Sequence, residues 1–190
     1  TWCAGVVGAI DNSIGVVGVA PKCKIIPIRS ATEGGGWSEH YIAGLRHAYQ
    51  SGADVINNSW GSSYNSNVYD AVISECILRG RGGKGCVVVF CSHNDGKPRV
   101  RYPANLPNVM AVGSVDNKGK RVGSSNYGKD LDVVAPVGPD DNNEITTRVY
   151  TTDLQGEKGK NTAPGPAGDY RVGFRGTSAA CPQVAGIAAL

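Results

Sequence analysis

The sequence predicts an α/β fold with three layers, in which helices cover both faces of a mostly parallel β-sheet. Short apolar segments typical of strands alternate along the 190 residues with segments of helical spacing. This alternation is the pattern of βαβ units, which build parallel sheets. Residues 86–91 (CVVVFC) are uninterrupted apolar side chains, as in a strand that is buried on both faces of such a sheet. Ligands of such sheets bind outside the carboxyl ends of the strands.

The predicted strands are short apolar or β-branched runs. In chain order they are residues 24–29, 54–58, 86–91, 109–115 and 131–134. Residues 136–176 depart from this pattern, and we predict two polar surface loops around one Thr-rich, hairpin-like strand there. Loops of this kind often carry specificity rather than stability.

Three segments have the composition or spacing of helices. Residues 38–50 are predicted as an amphipathic helix with Ser38 as its N-cap. Residues 67–79 form a second, and Gly80 is predicted to end it. Residues 178–190 are nearly all Ala, Gly, Val and Ile. A helix that is apolar on every side is predicted to lie buried in the centre of a domain.

The composition is that of an ordinary globular protein, with 41% hydrophobic and 18% charged residues. The net charge of +3 is too small to indicate a nucleic acid or a membrane surface as partner. We also expect a monomer. The basic runs 79–84 and 97–101 lack aromatic interleaving, so we interpret them as solvated loops. No apolar run approaches the roughly 20 residues of a membrane span.

Both ends of the sequence are abrupt. Thr1 opens without Met in what looks like the middle of an element, and residues 184–190 read as a helix with no cap or breaker. We therefore expect residues 1–190 to be one domain that is incomplete at both ends. The absence of a visible signal peptide then means little.

The six cysteines have no zinc-binding spacing, since no C-x2-C pair occurs. Four of them lie in apolar or small-residue runs, where buried free thiols are expected. Cys76 and Cys86 flank a Gly-rich turn and are the best candidates for a disulfide.

The strongest chemical signal is Ser178, at the start of the predicted last helix. Its hydroxyl is expected at the end of the element, beside the free N–H groups of the first helical turn and the positive end of the helix dipole. These features favour an oxyanion next to Ser178. The alternative is that Thr177 or Ser178 is simply an N-cap.

Polar residues follow two predicted strands, where the sheet argument places a site. Asn94 offers a carboxamide donor soon after residues 86–91, and the strand at 54–58 ends in Ser59, Trp60 and Gly61. These positions favour a chemical role for Ser178 over a capping role alone.

Taken together, the motifs resemble those of the subtilisin-like serine proteases. Residues 176–186 (GTSAACPQVAG) resemble the nucleophile motif G-T-S-x-x-x-P-x-V-A-G, and residues 1–5 (TWCAG) resemble the tail of H-G-T-x-x-A-G. Residues 55–61 (VINNSWG) are similar to the substrate-bordering strand V-I-N-x-S-x-G, and residues 94–96 (NDG) to the oxyanion motif N-x-G. Residues 102–103 and 132–136 also match in order and spacing.

The resemblance implies an Asp-His-Ser triad with Ser178 as nucleophile, and an oxyanion held by the Asn94 side chain and the Ser178 backbone N–H. It also implies residues that flank an extended substrate or line the pocket for the residue before the cleaved bond. These are Gly34, Gly35, Gly36, Ser59, Trp60 and Gly61 for the flanks, and Cys91, Ser92 and His93 for one pocket wall. The His and Asp of the triad would lie upstream of Thr1, so we expect this fragment alone to be inactive.

Two residues of the implied pocket depart from the family pattern, in which small residues usually occupy these positions. Arg101 lies at the base of the pocket, where it could favour an acidic substrate side chain or be neutralised by Asp95. We expect His93 to narrow the pocket rather than to act as a base. His40 and His47 are expected on the surface of their helix.

A calcium site is also implied by the resemblance. Residues 10–16 resemble the family's high-affinity calcium loop, with the Asn12 side chain and the backbone oxygens of Ile10, Ile14 and Val16 as ligands. Since Ca²⁺ takes six to eight oxygens, others must complete the site. The alternative is a plain Asn-Ser turn. Asp140, Asp141 and Glu144 are either another cation site or, as we prefer, a solvated acidic loop.

The function implied is that of a secreted endopeptidase that acts on polypeptides. A peptide-processing enzyme or cyclase of the same fold, using the loops of 136–176, is an alternative. A non-catalytic binding scaffold is another, although it has no chemical need for Ser178 or Asn94. A nucleotide-binding domain is disfavoured, because residues 34–36 lack the G-x-G-x-x-G spacing.

Overall fold

A computed structural model describes residues 1–31, 38–140 and 148–190. Its centre is a parallel sheet of four strands in the order β1-β2-β3-β4. The strands are β1 (Val55–Asn58), β2 (Val87–Cys91), β3 (Met110–Val115) and β4 (Val133–Pro136). Four helices accompany them, namely α1 (Trp2–Gly8), α2 (Ser38–Gln50), α3 (Asn67–Gly83) and α4 (Thr177–Ala188). The predicted α/β class is therefore confirmed.

Strand β2 divides the core into two halves. Its side chains alternate, since Val88 and Phe90 pack into the cluster that includes residues of α2 and α3. Val89 and Cys91 pack into the opposite cluster, with residues of α1 and α4. The helices thus form layers on both faces of the sheet, and β2 is buried on both, as predicted.

The carboxyl ends of β1 and β2 meet at one edge of the sheet, because the two strands are parallel and Asn58 lies opposite Phe90. In this register Ser59 leaves β1 opposite Cys91, the last residue of β2, and Ser92 follows directly. This is the edge at which a parallel sheet is expected to bind ligands.

Helix α3 loses regular geometry where the sequence predicts its end. Gly80, Arg81 and Gly82 have non-helical backbone angles, and the last two have positive φ. The turn brings the N–H of Cys86 to within 3.0 Å of the Cys76 carbonyl oxygen. No disulfide links this candidate pair, since all six cysteines, which lie in the described part of the chain, are free thiols. Burial raises the pKa of the Cys76 thiol to about 12.

The predicted strand at 24–29 is wrong. These residues have no regular secondary structure, and Ile25, Ile26 and Ile28 are 41%, 38% and 38% exposed. An open cavity of about 580 Å³ separates Ile28 from Ile56 of β1. A β-branched run favours an extended backbone, but a strand also needs a hydrogen-bonding neighbour. The described residues supply none here.

The predicted single strand within 136–176 corresponds to β5 (Val149–Thr152). Strand β5 pairs antiparallel with a second strand, β6 (Tyr170–Phe174), which was not predicted. Strand β6 was missed because its sequence, YRVGF, has no clear alternation, and its partner lies about 20 residues away in the chain. Residues Gly156–Lys158 and Gly165–Asp169 form 3-10 turns between the two strands.

Two helix ends differ from the prediction. Ser38 is the first residue of α2 rather than its cap. Helix α4 is buried over Ala179–Pro182 and again at Ala185 and Gly186. Ile187 within it and Leu190 just after it are 63% and 85% exposed, so the prediction of a segment buried on all sides fails at its carboxyl end. Within the ranges that the structure describes, no helix is both long and apolar enough to cross a membrane.

Candidate active site

Ser178 is the second residue of α4, and Gly176 sets its position. Gly176 has φ 71° and ψ −179°, a combination that is essentially restricted to glycine. Its carbonyl accepts the N–H groups of Ala179 and Ala180 at 2.9 and 3.3 Å. The N–H of Ser178 belongs to the first turn and has no acceptor within the helix. It is therefore available beside the half-buried Ser178 hydroxyl.

Pro182 leaves a second group at this turn without its helical partner. A proline has no N–H, so the Ser178 carbonyl cannot be bonded by the residue four positions later. Ser59 supplies the missing donor, since its Oγ donates to the Ser178 carbonyl at 3.0 Å. In return, the Ser178 Oγ donates to the Ser59 carbonyl at 3.4 Å. This reciprocal pair ties the start of α4 to the residue that follows β1.

Hydrogen bonds to the carbonyl oxygen of its side-chain amide hold Asn94 in place. Its Oδ1 accepts the backbone N–H of Thr177 at 2.8 Å and the Thr177 hydroxyl at 3.2 Å. Thr177 is fully buried and adjoins Ser178, so this contact holds Asn94 close to the turn that carries Ser178. With Oδ1 engaged, the Nδ2 amide is the end of the side chain left to donate to a ligand.

Asn126 organises the loop that carries Asn94, and the sequence analysis missed it. It is completely buried, and its Oδ1 accepts the N–H groups of Asp95 and Lys97 at 3.0 and 3.1 Å. Its Nδ2 donates to the Asp95 carboxylate at 3.1 Å, and its backbone N–H donates to the His93 carbonyl at 3.0 Å. Asn126 lies in a polar turn about 30 residues further along the chain, so no local pattern marks it.

The His93 ring lies against Gly61, between the segments that follow β1 and β2. A Cβ added to Gly61 would overlap Nε2 and Cε1 of this ring. Burial and the positive charge of Arg101 lower the pKa of His93 below its ordinary value. Asp95 and a hydrogen bond to the Tyr102 backbone oppose this shift.

Arg101 forms an ion pair with Asp95, with Nε 2.9 Å from Oδ2 and both side chains about one third exposed (33% and 32%). Of the two alternatives for Arg101, this geometry supports neutralisation by Asp95. A preference for acidic substrate side chains is correspondingly weakened.

The comparison with protein families decides the identity of this arrangement. The model of the subtilase family matches residues 1–190. The chain belongs to the subtilase family.

Relatives of this subtilase cover the whole chain, but the chain covers only part of them. Alkaline elastase YaB from Bacillus sp. (strain YaB) is 35% identical over 191 residues, which are 43% of its length. Subtilisin Savinase from Lederbergia lenta is also 35% identical, over 61% of its length. The chain thus spans about half the length of the curated relatives that it matches.

Solved structures give the same picture. A protease from Pseudoalteromonas arctica PAMC 21717 superposes with a TM-score of 0.82 at 33% identity, covering all of this chain and 57% of the protease. A lanthipeptide protease superposes with a TM-score of 0.77 at 26% identity, covering all of this chain and 59% of the other. The predicted resemblance and fold are confirmed.

Some of the residues predicted to border the substrate lie at the site, and others lie in the core. Ser59 and Gly61 lie at the site, whereas the Trp60 ring faces the core, with its centroid 4.4 Å from that of Tyr41 and 5.2 Å from that of Phe90. Cys91 and Ser92 are buried at the end of β2. Their side chains therefore form the back of a wall rather than its surface. The predicted Gly34, Gly35 and Gly36 lie outside the described residues.

The predicted calcium loop is exposed. Ile10 and Ile14 are each 65% exposed, and the Asn12 Oδ1 accepts the Ile14 N–H at 2.8 Å. Such an Asx turn fits the plain-turn alternative, but a carbonyl oxygen has two lone pairs and can still bind a cation. The backbone oxygens of Ile10, Ile14 and Val16 are the other ligands that the resemblance implies, and Ca²⁺ takes six to eight oxygens in all.

The second candidate cation site is partly described. The Asp140 carboxylate accepts the N–H of Ser124 at 2.9 Å and its hydroxyl at 3.1 Å, which gives it a structural role. Asp141 and Glu144 lie outside the described residues. Across residues 1–31, 38–140 and 148–190, no group of three or more His, Cys, Asp and Glu side chains could hold a metal ion.

Proposed function

We propose that the protein is a serine endopeptidase, in which Ser178 attacks the peptide carbonyl and the oxyanion is held by Asn94 Nδ2 and the Ser178 N–H. The observation that carries this proposal is the contact of Asn94 Oδ1 with Thr177, which leaves an amide donor next to the nucleophile turn. Fixed N–H donors that face developing negative charge stabilise the transition state of acyl transfer. Family membership supports the same reaction.

The reaction needs a base that takes the Ser178 proton. In the described part of the chain, the Ser178 hydroxyl bonds to the Ser59 carbonyl rather than to a histidine. His40 and His47 are exposed on α2, as predicted, and His93 is held against Gly61. We therefore assign the base to a histidine outside these 190 residues, positioned by an aspartate.

The proposed steps balance as follows. The Ser178 Oγ bonds to the carbonyl carbon while its proton passes to the base. The C–N bond then breaks, and the amine leaves with that proton. Water hydrolyses the resulting ester and releases the acid, so that Ser178 is restored.

The proposed substrates are polypeptides bound in an extended form along residues 59–61, and the proposed site of action is extracellular. Extended peptides pair their backbone with exposed segments of this kind. The location rests on the family resemblance alone. Recovery of the complete protein from the cells, rather than from the medium, would contradict it.

A fluorophosphonate probe tests the nucleophile. In the complete protein we expect one labelled serine, loss of labelling in Ser178→Ala, and full labelling in Ser62→Ala, whose hydroxyl lies in an exposed turn nearby. Labelling that persists in Ser178→Ala shows that the nucleophile is another residue.

We also propose that residues 10–16 bind Ca²⁺ together with oxygens from other segments or from water. Removal of Ca²⁺ by EDTA is expected to lower the melting temperature of the complete protein, and Asn12→Ala to reduce this difference. Asn65→Ala, which removes another exposed Asn, is the control. An equal response to EDTA in all three proteins would contradict a calcium site at Asn12.

A further inference from the structure

His93 occupies an unusual backbone position for a histidine. Its φ is 78°, in the left-handed region that favours glycine. A glycine at this position would leave open space between the ends of β1 and β2. The chain instead places an imidazole ring there.

The ring bridges the two walls of the predicted pocket. On one side it lies so close to Gly61 that no Cβ could be added there without displacing it. Its Nε2 is buried, and in the described part of the chain this atom has no hydrogen-bond partner. The ring is therefore packed into the pocket rather than turned towards solvent.

A charged pair lies near the ring. Arg101 Nε and Asp95 Oδ2 are 2.9 Å apart, and both charges act on the imidazole. The segment that carries Arg101 is joined to the one that carries Gly61, since the Tyr102 carbonyl accepts the N–H of Ser62 at 3.0 Å. The ring is thus enclosed between the segments that follow β1 and β2.

We propose that His93 fills the pocket for the side chain that precedes the cleaved bond, so that the enzyme selects glycine or alanine there. This inference rests on the proposed function. A large side chain could enter only if the ring left Gly61. Glycine and alanine need no such movement. His93 is a specificity-determining residue and takes no part in the bond-breaking steps.

Internally quenched peptides that differ only in the residue before the cleaved bond test the inference in the complete protein. We expect kcat/KM for alanine to exceed that for phenylalanine by about 100-fold, the size of a steric exclusion from a closed pocket. The variant His93→Gly is expected to raise kcat/KM for phenylalanine about 100-fold and to change that for alanine only a few-fold. His40→Ala, on the exposed face of α2, is the matched control.

The outcomes separate this inference from the proposed function. Fluorophosphonate labelling of Ser178 combined with equal cleavage after alanine and phenylalanine overturns the role of His93 alone. An unchanged preference in His93→Gly overturns it as well. Absence of both labelling and cleavage overturns the proposed function and this inference together.

A second measurement needs no activity. Gly61→Ala should lower the melting temperature in the wild-type background, because the new methyl group displaces the ring. In the His93→Gly background, Gly61→Ala should lower the melting temperature much less. An equal loss in both backgrounds would show that the ring does not lie on Gly61, and the inference would fail. His93→Gly itself removes a side chain from a left-handed position, so we expect it to fold.

Discussion

Two regions that the motifs predicted to be functional are built in different ways. The Ser178 corner (Ser59, Asn94, Asn126 and Gly176–Ser178) joins four distant segments through part-buried hydrogen bonds. Residues 10–16 form an exposed loop whose polar side chain bonds only two residues ahead. A motif therefore marks a chemical role, but long-range contacts decide whether its geometry is fixed before a ligand arrives.

The largest test of this difference is Gly176→Ala. The new Cβ would lie 2.8 Å from Asn94 Oδ1, and the backbone would be strained, so both the amide and the turn must shift. We expect a loss of about 3–5 kcal/mol in the free energy of unfolding. We also expect a fall in kcat/KM of about 100-fold or more, the size that removal of an oxyanion donor has in subtilisin itself.

Gly119→Ala is the control for that prediction. Gly119 also has positive φ (76°), but a Cβ there would meet open space. We expect a loss of about 1–2 kcal/mol from backbone strain and unchanged kcat/KM. If urea unfolding and peptide hydrolysis show equal effects for the two variants, the contact with Asn94 is not what makes the corner rigid.

A second test compares one asparagine from each region. Asn126→Ala leaves the N–H groups of Asp95 and Lys97 without their acceptor, and we expect it to cost about 2–3 kcal/mol. Asn12→Ala removes one exposed turn bond, and in the absence of Ca²⁺ we expect a cost below about 0.5 kcal/mol. Equal losses on urea unfolding would contradict the contrast between a buried and a local hydrogen-bond arrangement.

The last expected effect is a pH dependence of stability that arises from His93, next to the Ser178 corner. The pKa of His93 is lowered in the folded protein by burial and by Arg101, with Asp95 and the Tyr102 backbone opposing. The unfolded chain, with a histidine pKa of about 6.5, therefore binds the proton more readily than the folded one.

Acidification therefore favours the unfolded chain at this histidine. The contribution of neutral His93 to stability is complete above the unfolded pKa and is lost as the pH falls through it towards the folded pKa. We expect the wild type to lose stability relative to His93→Gly between pH 7 and 5, by at most about 1.4 kcal/mol per pH unit. Urea unfolding across this range measures the difference. A parallel decline in both proteins would mean that the ring titrates as it does in water.

Local patterns predicted much of the fold because they report burial directly. The run at 86–91 marked β2 as a strand covered on both faces, and Gly80 marked the end of regular helix in α3. The strand at 24–29 failed for the opposite reason. Its residues favour an extended backbone, but pairing depends on a neighbour that the segment itself does not specify.

The sequence by itself determined the α/β class, the family, and Ser178 and Asn94 as the residues to examine. Only the tertiary structure decided that Ser59 replaces the donor that Pro182 lacks, that Asn126 holds the Asn94 loop, and that His93 packs on Gly61. The physical reason is the distance along the chain over which each kind of interaction acts. Periodicity and backbone preference act over a few residues, whereas these contacts join segments more than 30 residues apart, and only the packing of the sheet brings such segments together.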